Sequence, residues 1–102
     1  MNYEWDPSKN LENIRKHKVS FEQAKIALED PCRMSFYDEA HSLNEDRYIV
    51  FGSAEGRILF VSIVCLDEDT IRIISARRAD RNEMEAYDEN CSLFFGKRTQ
   101  TH

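Results

Sequence analysis

The sequence predicts a small α+β domain, and three observations carry that reading. Apolar residues recur at helical spacing before residue 30 and again after residue 80. Between those stretches, segments rich in Ile, Val, Phe and Tyr are separated by short turn sequences. At 102 residues, with 41% hydrophobic residues, 3 Gly and 2 Pro, the chain has the size and composition of one ordinary globular domain. Short turns between consecutive strands mean hairpins, hence an antiparallel β-meander with two N-terminal helices and one C-terminal helix packed on it. The domain is expected to span residues 1–95, with a polar tail over 96–102 that frays.

Each element has a local cause. Residues 3–5 suit a short extended piece. Asp6-Pro7 reads as an N-cap followed by proline in the first helical turn. Leu11 and Ile14 mark the apolar stripe of that helix, and Arg15, Lys16 and His17 fall in its last turn, where the helix dipole favours cations. Ser20 and Gln23 have capping-box spacing for a second helix whose stripe is Phe21, Ala24 and Leu28, and Asp30-Pro31 stops it. Met34 to Tyr37 is a strand and 38–46 a polar loop. Arg47–Ser53, Arg57–Leu66 and Thr70–Ala76 are strands joined by turns at 54–56 and 67–69. Asp80 and Glu83 repeat the capping-box spacing before a helical stripe of Met84, Tyr87 and Cys91.

Composition removes several function classes. The longest apolar run, Ile58 to Leu66, is far below the ~20 residues of a membrane span. Met1 leads directly into Tyr3-Glu4-Trp5-Asp6 without a leader pattern, so a cytoplasmic location is expected. Cys32, Cys65 and Cys91 are odd in number and widely spaced, which argues for reduced thiols and against a disulfide framework or a thiolate zinc site. His17, His41 and His102 are scattered, so no metal site is expected. No glycine-rich nucleotide loop or nucleophile elbow is present, so no cofactor is expected either. The formal charge of −5 excludes a broad nucleic-acid-binding surface. A local cationic site remains open, because residues 57–81 hold 5 arginines, and three of their 4 acids cluster in the Asp67-Glu68-Asp69 turn.

With ideal hairpins that pair Ser53 with Arg57 and Leu66 with Thr70, one sheet face carries Ile49, Phe51, Leu59, Val61, Ile63, Cys65, Ile71 and Ile73. The other carries Tyr48, Val50, Gly52, Ile58, Phe60, Ser62, Val64, Arg72, Ile74, Ala76 and Arg78, a mixed face that either the last helix or a partner must cover. In that register Arg57 and Arg77 are diagonal neighbours at one sheet end, with Arg78 on the opposite face. The guanidiniums there either bind an anion, for which their planar forks suit phosphate oxygens, or pair with Glu55, Asp80 or Glu83.

The residues also carry a resemblance. Tyr-Glu-Trp-Asp-Pro-Ser-Lys (3–9) leads to Asn13-Ile14-Arg15-Lys16-His17 and Val19-Ser20-Phe21-Glu22-Gln23-Ala24. Asp30-Pro31, His41-Ser42, Glu45, Arg47, Gly52 and Gly56-Arg57 follow, then Ile71-Arg72-Ile73-Ile74-Ser75-Ala76-Arg77-Arg78-Ala79, Glu83 and Tyr87. Over residues 3–87 this resembles the BrnT family of bacterial type II toxins. The resemblance implies a RelE-like ribonuclease fold and a metal-independent endoribonuclease that blocks translation. It also implies a BrnA-like ribbon–helix–helix antitoxin that neutralises the toxin, in a heterotetramer reaching operator DNA only through the antitoxin. Two features depart from the family pattern: Lys18 stands where glycine is usual, and the net charge is acidic. They keep open a second reading, a non-catalytic relative that only binds the antitoxin and tunes operon repression.

Metal-free RNA cleavage needs a base for the 2′-hydroxyl, cations for the developing charge and an acid for the leaving oxygen. Arg57 and Arg77 are assigned to charge stabilisation, and Lys16, Arg72 and Arg78 to flanking phosphates. His17 suits proton transfer, against an alternative as a helix C-terminal dipole partner. Glu45 suits a base, against an alternative as the ion-pair partner of Arg47. His41 reads as a surface or loop-bracing residue. Val50, Ile58, Phe60, Val64 and Ile74, on the mixed face, are assigned to antitoxin binding.

Overall fold

The structure, a computed structural model, describes residues 1–95. The elements run β1 (Asn2–Glu4), α1 (Pro7–His17), α2 (Phe21–Leu28), β2 (Met34–Tyr37), β3 (Arg47–Ala54), β4 (Arg57–Cys65), β5 (Thr70–Arg78) and α3 (Arg81–Phe95). The strands form one sheet in the order β1-β5-β4-β3-β2. Strands β2 to β5 pair antiparallel in chain order. The sheet as a whole is mixed rather than antiparallel, because β1 pairs in parallel with β5, Tyr3 opposite Ile71. The expected tail, 96–102, lies outside the described residues.

The caps are those the sequence spells. Asp6 Oδ1 accepts from the Ser8 amide at 2.9 Å, with Pro7 in the first helical position. The Ser8 hydroxyl, which donates to the same oxygen at 2.8 Å, and then the Ser8 amide hold the Asp6 carboxyl below its usual range. The Ser20–Gln23 box is complete in both directions, as is the Asp80–Glu83 box, with both bonds at 2.8 Å. Lys18 ends α1 in the left-handed conformation (φ 60°), its N–H returning to the Ile14 carbonyl at 2.9 Å.

Two registers differ from the ideal ones. The β3–β4 loop is two residues, Glu55 (φ 52°) and Gly56 (φ 84°), so Ala54 rather than Ser53 faces Arg57. Positive φ at both positions gives the hairpin turn whose twist matches the flanking strands. The one-residue difference inverts β3: Val50, Gly52 and Ala54 face α1 and α2, while Ile49 and Phe51 face α3. The β4–β5 hairpin begins as expected, with Cys65 opposite Ile71, but a bulge at Ser62/Ile63 shifts the pairing to Val61–Ala76 and Phe60–Arg77. Ala76 therefore joins the main core, and Arg77 moves to the α3 side.

The main core lies between the sheet and α1/α2, built on Val19, Phe21, Ala24, Leu28, Leu59, Val61, Ile63 and Ile73. Gly52 is required there: a Cβ would stand 2.1 Å from the Ala27 carbonyl oxygen, so α2 lies directly on the backbone of β3. Among the described residues, Asn13 is the one buried polar residue of the core. Its Nδ2 donates to the carbonyls of Val19 and Ala76, both at 2.8 Å, and its Oδ1 accepts from the Ala76 amide at 3.2 Å. A smaller cluster on the other face joins Phe51, Tyr87 and Cys32 with Met34, Ile58 and Phe60 beneath α3.

The reduced-cysteine expectation is corrected. Cys32 and Cys91, 59 residues apart in sequence, form a disulfide between the β2 approach and α3, and Cys65 is free. Spacing along the chain does not report this pair, because the fold brings α3 back over the start of β2. The single mixed sheet face, on which the antitoxin-binding assignment rests, is corrected as well. Val50 is buried under α2, Ile58 and Phe60 lie half-buried beneath α3, Val64 is buried further along β4, and Ile74 lies beside α1. The inverted β3 and the β5 bulge dissolve the assumed surface.

Candidate functional site

One end of the sheet gathers cationic groups from four elements. Helix α2 starts there, since Gln23 Nε2 donates to Glu55 Oε1 of the β3–β4 turn at 2.8 Å. The junction between α1 and α2, with Lys16, His17 and Lys18, is therefore at that end. So are Arg57 at the start of β4 and Arg78 at the end of β5. Arg81 opens α3 beside them.

Arg57 and Arg78 share an open cleft of about 410 Å³ with Gly56, Ile58, Ala79 and Met84. Both arginines are exposed, and among the described residues neither has a carboxylate partner. Ile58 and Met84 supply apolar surface between them, a combination suited to a phosphate flanked by a flat organic ring. Ala79 N–H donates to the Ile58 carbonyl at 2.9 Å and closes the floor.

Arg77 is placed differently from its sequence assignment. It points to the α3 side, with its guanidinium carbon 3.9 Å from the centre of the Phe60 ring. Its two terminal nitrogens bind the Glu83 carboxylate, both at 2.9 Å, and Nη1 also donates to the Arg78 carbonyl at 3.0 Å. This bidentate pair raises the Arg77 pKa and lowers that of Glu83, in each case through the side-chain hydrogen bonds first. Of the two alternatives left by the sequence, pairing with Glu83 is realised for Arg77. The guanidinium that expectation placed on substrate braces the backbone of Arg78 instead.

The remaining candidates divide between the two ends. His17 and Lys16 line a small cleft of about 120 Å³ with Lys9, Glu12, Asn13, Ile74 and Ser75, on the α1 flank of β5. Glu45 is in the β2–β3 loop, paired with Arg47 Nη2 at 3.2 Å, its alternative reading. That loop is at the opposite end of β3, roughly 23 Å from the turn at ~3.3 Å per residue. Arg72 is also distant, held by Glu4 Oε2 at 2.6 Å from Nη2 and 2.9 Å from Nε. His41 braces its loop through Asp38, with Nδ1 2.9 Å from Oδ2. The fold thus brings Arg57, Arg78, Lys16 and His17 to one end and leaves Glu45 and Arg72 outside it. Among the described residues, no three His, Cys, Asp or Glu side chains stand close enough to hold a metal ion.

Sequence reading missed the part played by Met84 and Gly56 in the cleft, and the latch formed by Asn13. The Met84 position depends on the angle at which α3 leaves β5, which no local pattern encodes. For Asn13 a signal existed: a small amide one position before an apolar stripe residue, on a helix whose own stripe is thin.

The architecture has a counterpart in a ribonuclease toxin. The family model described as "Ribonuclease toxin, BrnT, of type II toxin-antitoxin system" matches residues 5–83. The chain belongs to this BrnT toxin family. Its fold is similar to the 1.1 Å crystal structure of the Brucella abortus ribonuclease toxin BrnT, with a TM-score of 0.63 and 26% sequence identity. That match covers 79% of this chain and 99% of the Brucella chain. No curated protein is significantly similar to the chain. A type II toxin family implies an antitoxin partner. No helix among the described residues is long and apolar enough to cross a membrane.

Proposed function

We propose that this chain is a cytoplasmic endoribonuclease toxin that cleaves RNA without a metal ion and blocks translation. A BrnA-like ribbon–helix–helix antitoxin neutralises it, in a heterotetramer that reaches operator DNA only through the antitoxin. The observation that carries the reading is the pair Arg57 and Arg78. They are exposed guanidiniums without carboxylate partners among the described residues, facing one cleft on an otherwise acidic chain.

The chemistry follows from the placement. Arg57 and Arg78 grip the scissile phosphate and stabilise the charge that builds on its oxygens. Ile58 and Met84 receive an adjoining base. Arg77 is a positioning residue, since its bond to the Arg78 carbonyl and its pair with Glu83 fix the strand end. His17 is the proton-transfer group at this end, and Lys16 holds a flanking phosphate. Glu45 and Arg72 have no part in the cleft.

The test uses antitoxin-free protein and a structured RNA in EDTA. Wild type cleaves, and Arg57→Ala and Arg78→Ala each lower the rate by about 10²–10³-fold, the loss typical of one preorganised donor. Cleavage that needs an added divalent ion, or that survives both substitutions, would falsify the assignment. The locked state of Arg77 and the distance of Glu45 favour a second reading, a non-catalytic relative that only binds antitoxin. A folded chain that binds its antitoxin but leaves RNA intact under all conditions selects that reading.

A further inference from the structure

Helix α3 is fastened to the sheet in two zones of different chemistry. Its N-terminal end is held by the Asp80–Glu83 box and the Arg77–Glu83 pair. Its C-terminal half is held by the Cys32–Cys91 disulfide, whose Cα atoms are 5.1 Å apart. Two polar contacts accompany the disulfide: the Tyr87 hydroxyl donates to Asp30 Oδ2, and Asn90 Nδ2 donates to the Cys32 carbonyl at 3.1 Å. Both exist only while α3 is seated. Beneath this half lie Phe51, Met34 and Cys32, the smaller of the two apolar clusters. Leu93, two residues past Cys91, is 79% exposed.

We propose that Cys32–Cys91 is a reversible redox site that staples the C-terminal half of α3 to the sheet, and that a dithiol reductant releases that half alone. Cys91 is half-buried and Cys32 is 6% exposed, so the incoming thiolate reaches Cys91 Sγ. The protein S–S bond breaks, its electron pair leaves on Cys32 Sγ, and that sulfur takes up a proton. The second thiol of the reductant then attacks the mixed disulfide and frees Cys91, which is protonated in turn. Two electrons and two protons enter the protein, and the reductant leaves as its own disulfide. Cys65 takes no part: it packs against the main core rather than the cluster that holds the pair, and burial, then the nearby Asp46, push its thiol pKa up. The sequence separation of 59 is long enough for the staple to shift the unfolding equilibrium by about 10³-fold on chain-entropy grounds.

The test follows backbone amide exchange of the full chain by mass spectrometry, air-oxidised and after dithiothreitol. Reduction is expected to speed exchange over residues 86–95 and around Phe51, to leave residues 7–28 unchanged, and to lower Tm. Cys91→Ser should behave as the reduced protein without reductant and show no further response, whereas Cys65→Ser should respond as wild type. Should Cys91→Ser fail to fold, wild type reduced and capped with iodoacetamide replaces it. Three titratable thiols in the unreduced chain, unchanged α3 exchange on reduction, or a dithiothreitol response that persists in Cys91→Ser would each overturn the proposal.

Discussion

Replacing Asn13 by alanine removes one side chain and strands three backbone groups. The Val19 and Ala76 carbonyls each lose a donor at 2.8 Å, and the Ala76 amide loses its acceptor at 3.2 Å. Val19 is 0% and Ala76 1% exposed, so bulk water does not replace the amide. Each buried group left unsatisfied costs about 1–3 kcal/mol. Water entering the vacated space recovers part of this, which sets the expected loss at about 3–5 kcal/mol. A domain of this size has about 5–15 kcal/mol in total, so Asn13→Ala should sit near the edge of stability. Urea unfolding followed by circular dichroism measures the change, at constant m so that midpoints convert directly. Asn13→Asp sharpens the test. Its ionised carboxylate can still accept from Ala76 but faces two carbonyls it cannot donate to. Folding therefore favours the protonated acid and raises its pKa above the unfolded value of about 3.9. Relative to wild type, Asn13→Asp should be most stable below that pH and lose stability as pH rises through the folded pKa. A loss below about 1 kcal/mol for Asn13→Ala, or a pH-independent difference for Asn13→Asp, refutes the latch.

Further outcomes follow from other positions. Lys18→Gly should stabilise the chain by about 1 kcal/mol in thermal or urea melts, because Lys18 holds φ 60°. Gly52→Ala should destabilise by more than about 3 kcal/mol, since its Cβ meets the Ala27 carbonyl carbon at 2.8 Å and the oxygen closer still. The Glu83 carboxylate is held below its usual range by Arg77, so its contribution is present above the unfolded value of about pH 4.3 and lost as pH falls through the depressed folded value. Acid unfolding of Glu83→Gln should lack that step, and an unchanged acid limb speaks against the pair. Arg77→Lys should weaken RNA cleavage through a disordered Arg78, raising KM more than it lowers kcat; equal effects on both place Arg77 on the substrate.

Most elements were legible because their signals are local. Asp6-Pro7, Ser20 with Gln23, and Asp80 with Glu83 each name a helix start within four residues, and all three caps form. The strands were legible from composition, and their order from the shortness of the turns. Register was not. Whether Ala54 belongs to the turn or to the strand is decided by the twist of the flanking strands and by α2 pressing on Gly52, both tertiary effects. That single residue moved Val50 from a supposed docking face into the core, and the β5 bulge moved Arg77 away from Arg57. The arginine-rich sheet end was visible as a run of charge. Which arginines stay unpaired was not, because the answer depends on where α3 presents Glu83.

The parallel strand β1 covers β5 only from Thr70 to Arg72. The next stretch of that edge would offer open backbone groups to any passing strand, the usual route to edge-to-edge aggregation. At Ala76 the amide of Asn13 occupies both the donor and the acceptor, as a neighbouring strand would. Helix α1 thus terminates the sheet on this side with a side chain rather than with a further strand. Among the described residues, β2 is the longer of the two edge strands, four residues against three for β1, with Phe36 and Tyr37 exposed. A second chain that extended this sheet would find its longer free edge at β2.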